Sequence, residues 1–523
     1  MPARHYDVIV LGRSIGALLA AALLARRELR VLVLGQGQAA PVYRIEEHTL
    51  CRRTFSLLSA SSPVFRRILV ELAQTQNFRR LISPLDPMFA YLDEDVRFEI
   101  PPDVELFSRE IQREFPEIQQ SLAELYAQVS SDNAQIDQAF DRDLVWPPGT
   151  FFERLETGRI ASSLPQAGPR NLASGLLERL PHGHKFRQVV ETPALFSSHS
   201  GVESTALSEL SLTRLHGSWT RGVHALARGE QELEEFLVAR ILAHGGVVQF
   251  ERSAERIAIK RGRFAGVVEQ GEETVTAAEA IISCNSGEHL AALSEGHGIS
   301  KRARDHWPHV NVVGGRFVVS VIVNNAGVPA AFPREGFLIG NQGALPDIHV
   351  QRHDAHVLAG HAVDTQHTLL VAEMLLPSVG GYHLLGARHA VLGTLRRYLP
   401  YIDRHLVLVD SPHDGLPADL FDRRSDGGQD HRQIERAFIK GATPSPEPMQ
   451  PRVWVQTGSY MSLAGEPLRG PIPGSYLVGP TVLPSLGQEG EVLAAWGVAK
   501  IITKKDRSRQ KMRRQMWTKI ETG

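Results

Sequence analysis

The stretch DVIVLGRSIGALLAAALLARRELRVLVLGQ, residues 7 to 36, constrains this chain more than any other. Asp7 to Leu11 is a run of branched apolar residues, the mark of a strand buried on both faces. Gly12 to Gly16 reads as a turn. Ala17 to Arg27 is Ala and Leu on nearly every side, so the helix it forms must be covered all round. Arg30 to Leu34 (RVLVL) repeats the strand pattern. Strand, tight turn, buried helix and strand in that order make a βαβ unit, whose strands lie parallel in a sheet covered by helices.

The turn carries the first chemical signal. A dinucleotide pyrophosphate needs a tight turn, small side chains and a helix N-terminus, whose free N–H groups and dipole favour negative charge. Gly12, Ser14, Gly16 and Ala17 meet these needs with Ser14 and Ala17 at positions where G-x-G-x-x-G has glycine. Arg13 lies within the same turn. An acidic residue that would accept from ribose hydroxyls is expected at the end of the second strand. Gly35 stands there, followed by Gln36, and Glu46 and Glu47 lie too far along the chain to replace it.

A length of 523 residues predicts two associated domains. Hydrophobic residues at 42% and charged residues at 22% exclude a disordered chain, and a net charge of −1 gives no field to draw nucleic acid. Two cysteines, Cys51 and Cys284, make no disulfide framework and fit a reducing compartment. The N-terminus reads as a strand and not as a secretory signal. The longest apolar stretch, Ile15 to Ala25, is shorter than the roughly 20 residues of a spanning helix. The expectation is a cytoplasmic protein.

Two further segments carry organisation. Residues 228 to 284 begin with an amphipathic helix, with Leu233, Phe236, Leu237 and Ile241 on one face, ended by Gly245-Gly246. Short strands follow: VVQF, RIAIK, FAGVVEQ, TVTA and AIISC, with Lys260-Arg261-Gly262-Arg263 as a hairpin turn. Residues 473 to 502 give a strand, Tyr476 to Val478, then Gly479, a Pro- and Gly-rich loop, and a helix from about Glu491. Residues 421 to 436 and 441 to 451 read as polar loops.

Together these three segments resemble the carotenoid (phytoene) desaturase-like branch of the FAD-dependent amine oxidase superfamily. The ending Ala278-Glu279-Ala280-Ile281-Ile282-Ser283-Cys284-Asn285 matches the family's "A-x-x-V-I-x-N" strand. The spacing of Gly479, Pro484, Gly487 and Gly490 matches its second flavin motif. The resemblance implies an α/β fold: a Rossmann-type FAD-binding domain split in sequence (1–60, 215–300 and 445–503), with an inserted α+β substrate domain (61–214 and 301–444). It implies FAD as cofactor, with Gly12, Arg13, Ser14, Gly16 and Ala17 at the pyrophosphate and Gln36 and Arg44 beside the second strand. Ala254 would meet the adenine. Gly479, Pro480, Gly487, Gly490, Glu491 and Val492 would lie along the ribityl chain and ring. It implies desaturation, saturation or isomerisation of C–C bonds in an apolar isoprenoid or polyene, with hydride passing between substrate carbon and flavin.

Three positions depart from that pattern. Gly35 replaces the acid, Pro41-Val42-Tyr43-Arg44 replaces a Gly pair, and Pro480 has no N–H to donate. A flavin-free relative acting as scaffold, lipid carrier or partner of a homologous subunit is the alternative, and an amine oxidase with an aromatic cage is a third. No Ser/His/Asp order stands out, which suits an enzyme whose cofactor carries the chemistry, so no catalytic residue is assigned. His349, His353, His356, His361 and His367 fit no ordered zinc spacing and read as a polar strand or hairpin surface, so no metal is expected. In the basic tail 504–523, Met512, Met516 and Ile520 repeat every fourth residue near Trp517. They read either as a helix on an anionic membrane surface or as a solvated end.

Overall fold

The computed structural model describes residues 5–504, apart from 163, 165–174, 342–343, 361–365, 381, 424–428, 437–445 and 456–459. The tail motif around Trp517, His361 and parts of both polar loops lie outside the described residues.

The βαβ unit forms as its apolar pattern demands. His5–Leu11 pairs in parallel with Val31–Leu34 on one side and with Val275–Ser283 on the other. Val247–Gln249 extends the sheet in parallel beyond Val31–Leu34, and Ser475–Leu477 pairs in parallel with Val275–Ser283. Ala254–Lys260 and Arg263–Glu269 form the antiparallel hairpin, turning through Arg261 and Gly262, both at positive φ. Among the described residues the sheet has seven strands. TVTA and AIISC, read as two strands, are one continuous strand, because nothing between them breaks the extended pattern.

The helix Ile15–Arg26 starts two residues before the expected position, because Ser14 caps it: its hydroxyl accepts the Ala17 N–H at 3.3 Å. Its first eleven residues, Ile15 to Ala25, are buried. It packs against Glu230–Ala243 and against the C-terminal helix Gly487–Thr503, which begins four residues before Glu491. Each fully buried leucine here contributes about 1.5–3 kcal/mol, so the unit is held by burial rather than by helix propensity.

A second sheet has ten strands among the described residues, drawn from residues 89–100 and 310–455. Val310–Asn324 runs through its centre, antiparallel to His367–Pro377 and Leu406–Asp410. Gln450–Val455 also pairs with Val310–Asn324. The sequence boundary at 445 therefore lies too early: the polar break precedes one more strand of the second sheet. Of the helices between residues 104 and 220, Val104–Glu114, the first part of Gln119–Phe140, Phe186–Ser197 and Glu209–Thr220 pack against this sheet. Among the described residues, no helix is long and apolar enough to cross a membrane.

Glu153 clamps one of these helices to the C-terminal segment. It is the third residue of Phe151–Ala161, in a capping box with Thr150. It accepts from Arg469 at 2.6 and 2.9 Å and from the Gly149 and Thr150 N–H groups at 2.9 and 3.0 Å. Burial pushes its carboxyl up, but Arg469 and the backbone donors outweigh burial and hold it down at about 2. A depressed carboxyl stabilises the fold above its unfolded pKa and loses that contribution as pH falls through the folded one. Glu153→Gln is expected to cost about 1–2 kcal/mol at neutral pH, less than the full shift because Arg469 is partly exposed and screened. In urea unfolding at a series of pH values, the gap from wild type should close between the ordinary carboxylate range and about 2. A gap that stays constant with pH would contradict this role.

Candidate active site

The cleft at the carboxyl ends of the parallel strands is where α/β sheets bind ligands. Here most of its polar groups already have partners from the chain itself. Gly12 donates its N–H to the Leu34 carbonyl, and a Cβ on it would fall 2.1 Å from the Cys284 sulfur. The Arg13 N–H donates to Gln38 Oε1 at 2.8 Å. The Arg13 guanidinium lies 4.1 Å above the Phe250 ring and donates to Glu234 at 2.8 and 2.5 Å. Gly16 donates its N–H to Glu491 Oε2 at 3.1 Å, which puts a carboxylate at the helix N-terminus. At the end of the second strand, a Cβ on Gly35 would fall 1.9 Å from the Phe250 carbonyl oxygen. Gln36 turns its amide onto Ala254, donating to its carbonyl at 2.9 Å and accepting its N–H at 2.8 Å.

A cavity of about 1130 Å³ opens from this cleft into the space between the two sheets. Arg13, Ser14, Gln36, Pro480 and Glu491 line it. Gly12, Gly16, Ala17, Ala254, Gly479, Gly487, Gly490 and Val492 do not. The three C-terminal glycines instead let backbones pack. A Cβ on Gly479 would fall 1.8 Å from the Cys284 carbonyl oxygen, on Gly487 2.0 Å from that of Ser197, and on Gly490 2.3 Å from that of Leu483. Arg44 also misses the cavity. It sits on the exposed side of the hairpin formed by Val42–Ile45 and His48–Cys51, because the alternate face buries Tyr43 against Asp410. Arg52 and Arg53 reach the cavity in its place, paired with Glu447 and Glu230.

The far wall is a polar face of the second sheet. In strand register, Glu335 lies opposite Gln351, and His349 opposite Glu373. Strand alternation therefore turns all four to one side, where they are buried together with Arg316. Ser56 donates to Glu335 at 2.7 Å, and Gln351 donates to it at 3.0 Å. Phe55 N–H donates to Gln351 Oε1 at 2.8 Å, which fixes the amide's orientation. His349 Nε2 is hydrogen-bonded to Glu335, and its ring stacks on Phe337 at 4.8 Å. Its Nδ1 lies 3.1 Å from Thr54 Oγ1, and the Thr54 hydroxyl donates to Glu373 at 2.8 Å. Because Thr54 gives its proton to Glu373, its oxygen is open to accept from His349 Nδ1–H. Arg316 binds Glu373 and the Ser198 carbonyl.

His199 completes the wall. It is buried, neither ring nitrogen makes a hydrogen bond, and Nε2 lies 3.4 Å from Glu491 Oε1. Burial lowers its pKa, Glu491 opposes that effect, and Arg316 and Arg452 add to it. The ring is thus held toward its neutral form.

The sequence reading placed His349 on a polar surface; the structure buries it in this network. Burial also brings His353 on the same strand down to about 4. Thr54, Ser56, Arg316, Glu335, His349, Gln351 and Glu373 were not singled out for the site by the sequence. The available signal was weak: polar residues at alternate positions in strands that are otherwise apolar.

No family model matches the chain, and no curated protein matches it significantly. Solved structures do match its fold along almost the whole length. An oxidoreductase from Methanosarcina mazei superposes with a TM-score of 0.58 at 14% identity, covering 95% of this chain and 99% of that one. A double mutant from a redesign of cofactor binding in putrescine oxidase gives 0.57 at 13%, covering 96% and 100%. Wild-type putrescine oxidase bound to putrescine gives 0.57 at 12%, again covering 96% and 100%. At such identities the likeness shows the fold: a Rossmann-type α/β architecture shared with oxidoreductases.

Proposed function

We propose that this chain is an oxidoreductase that transforms an organic substrate in the cavity between its two sheets. The observation that carries the reading is the cavity itself. It joins the strand ends of a Rossmann-type sheet to a buried polar wall, in a fold shared with oxidoreductases over almost the whole chain. The substrate has an apolar body and a polar head. Phe55, Leu58, Phe196, Trp219 and Met449 suit an isoprenoid-like body. A pure hydrocarbon would leave both ring nitrogens of His199 without a hydrogen bond, so a polar group belongs at that end.

Within the cavity the chain's own residues bind and orient the ligand. Thr54 and Ser56 line the cavity with their hydroxyls already engaged to Glu373 and Glu335. His349 borders the cavity behind them, its ring held by the hydrogen bond to Glu335, as a positioned acid–base group would be.

FAD is the redox group the fold implies, and this cleft does not accept all of it as it stands. The ring end borders open space at Pro480, Thr481 and Gln488. The adenosine and pyrophosphate ends meet Gln36, Phe250 and Glu491. Those contacts favour a second reading, a flavin-free relative that binds its ligand in the same cavity.

An absorption spectrum of the purified chain separates the two, taken before and after incubation with excess FAD and removal of the free cofactor. The oxidoreductase reading expects a flavin band in at least the second spectrum, with flavin released on heating. A chain that stays colourless in both would overturn it.

A further inference from the structure

We propose that Gln36 and Glu491 are internal stand-ins for the adenine and pyrophosphate of a dinucleotide, and that FAD enters this cleft only by displacing them. The inference uses the FAD reading for its probe; the contacts themselves stand without it.

Two chemical matches support it. The Gln36 amide offers Ala254 one donor and one acceptor side by side, at 2.9 and 2.8 Å, the same pattern that the edge of a purine presents to a backbone N–H and C=O. The Glu491 carboxylate accepts from Gly16 in the second position of the helix Ile15–Arg26, where the unpaired N–H groups and dipole of a helix attract one anion. A diphosphate brought to that point would set its charge beside Glu491, and like charges at such a distance repel. Gln38 takes the Arg13 N–H, and Arg13 is held over Phe250 by Glu234. Donors that a nucleotide would need are therefore engaged by the protein at both ends of its adenosine diphosphate arm. The open volume begins beyond them: Arg13, Gln36 and Glu491 line the cavity, while Ala254, Phe250 and Glu234 do not.

The consequence has a sign that an open cofactor site would not share. In an open site, Gln36 and Glu491 would at most help to hold FAD, and their loss would weaken its binding. As stand-ins they compete with it. Each contact that FAD must break is a hydrogen bond, one of them to a charged group, so their loss should tighten FAD binding at least tenfold. The same loss should lower the melting temperature of the FAD-free chain.

The test uses the full-length chain, with FAD as the titrant, followed by quenching of flavin fluorescence, and thermal unfolding measured without FAD. Gln36→Ala, Glu491→Gln and the double variant are compared with wild type. Glu491→Gln keeps the shape and removes the competing charge. The proposal expects tighter FAD binding in both single variants, a larger gain in the double variant, and a lower melting temperature for Gln36→Ala. Wild type purified with one tightly held FAD per chain, or variants that bind FAD no more tightly than wild type, would overturn it. The first of these outcomes would leave the oxidoreductase reading in place. Absence of FAD binding in every form would overturn both.

Discussion

Gly35→Glu, which installs the acid that a ribose contact calls for, is expected to destabilise the protein by about 3 kcal/mol and to leave FAD binding no tighter. The cause is space. Gly35 does not have a positive φ, so its backbone conformation is open to other residues. Its missing Cβ, however, points at the backbone of Phe250, 1.9 Å from the carbonyl oxygen and 2.7 Å from the carbonyl carbon. A carbonyl cannot rotate away as a side chain does. Its neighbours are also pinned: Gly35 donates its N–H to Gln249, and Gln36 donates its own to Arg252. Any side chain at residue 35 must therefore part the second strand from the segment that follows Val247–Gln249. Urea unfolding of Gly35→Ala and Gly35→Glu checks the point. Both should lose stability, because the first methyl group already collides. A Gly35→Glu variant as stable as wild type and tighter for FAD would show that the cleft opens more readily than these contacts allow.

Glu489→Ala is expected to have an effect of similar size at the other side of the C-terminal helix. Arg214, on Glu209–Thr220, is 1% exposed, and Glu489 holds it through two contacts of 2.6 Å. Asp137 and Asn133 supply the remaining partners, at 2.7 and 3.1 Å. Burial acts to raise the Glu489 carboxyl, and Arg214 more than offsets it. Removing one member of a buried pair strands the other charge away from water, at about 3–5 kcal/mol. The lower end applies here because Asp137 remains. The paired replacement Arg214→Met with Glu489→Leu should recover most of the loss, since it removes the stranded charge and refills the volume. A single variant within about 1 kcal/mol of wild type would mean that Asp137 alone satisfies Arg214.

The architecture was legible because it follows from local pattern. The run of apolar residues from Val8 to Leu11 has only one use in a soluble fold, and the Ala/Leu helix after it only one place. The hairpin at Arg261-Gly262 and the strand at Ala278 to Ser283 could be read for the same reason. Boundaries moved where a cap or a lone strand decided them: Ser14 starts its helix early, and Gln450–Val455 joins the second sheet. The erosion at Gly35 was also visible in the sequence. Its reason was not, because Phe250 is brought against it only when Val247–Gln249 pairs with Val31–Leu34.

The sequence by itself determined a βαβ-based sheet, its division into distant segments, and a turn built for an anion at a helix N-terminus. Which anion sits there was decided by the tertiary structure alone. Glu491 reaches Gly16 across 475 residues of chain, and Gln36 reaches Ala254 across 218. The wall of Glu335, His349, Gln351 and Glu373 likewise exists only in strand register. Periodicity reports which face of an element is buried. The partner a buried polar group finds there is chosen by folding, because leaving it unpaired costs more than the long loop that brings the partner home.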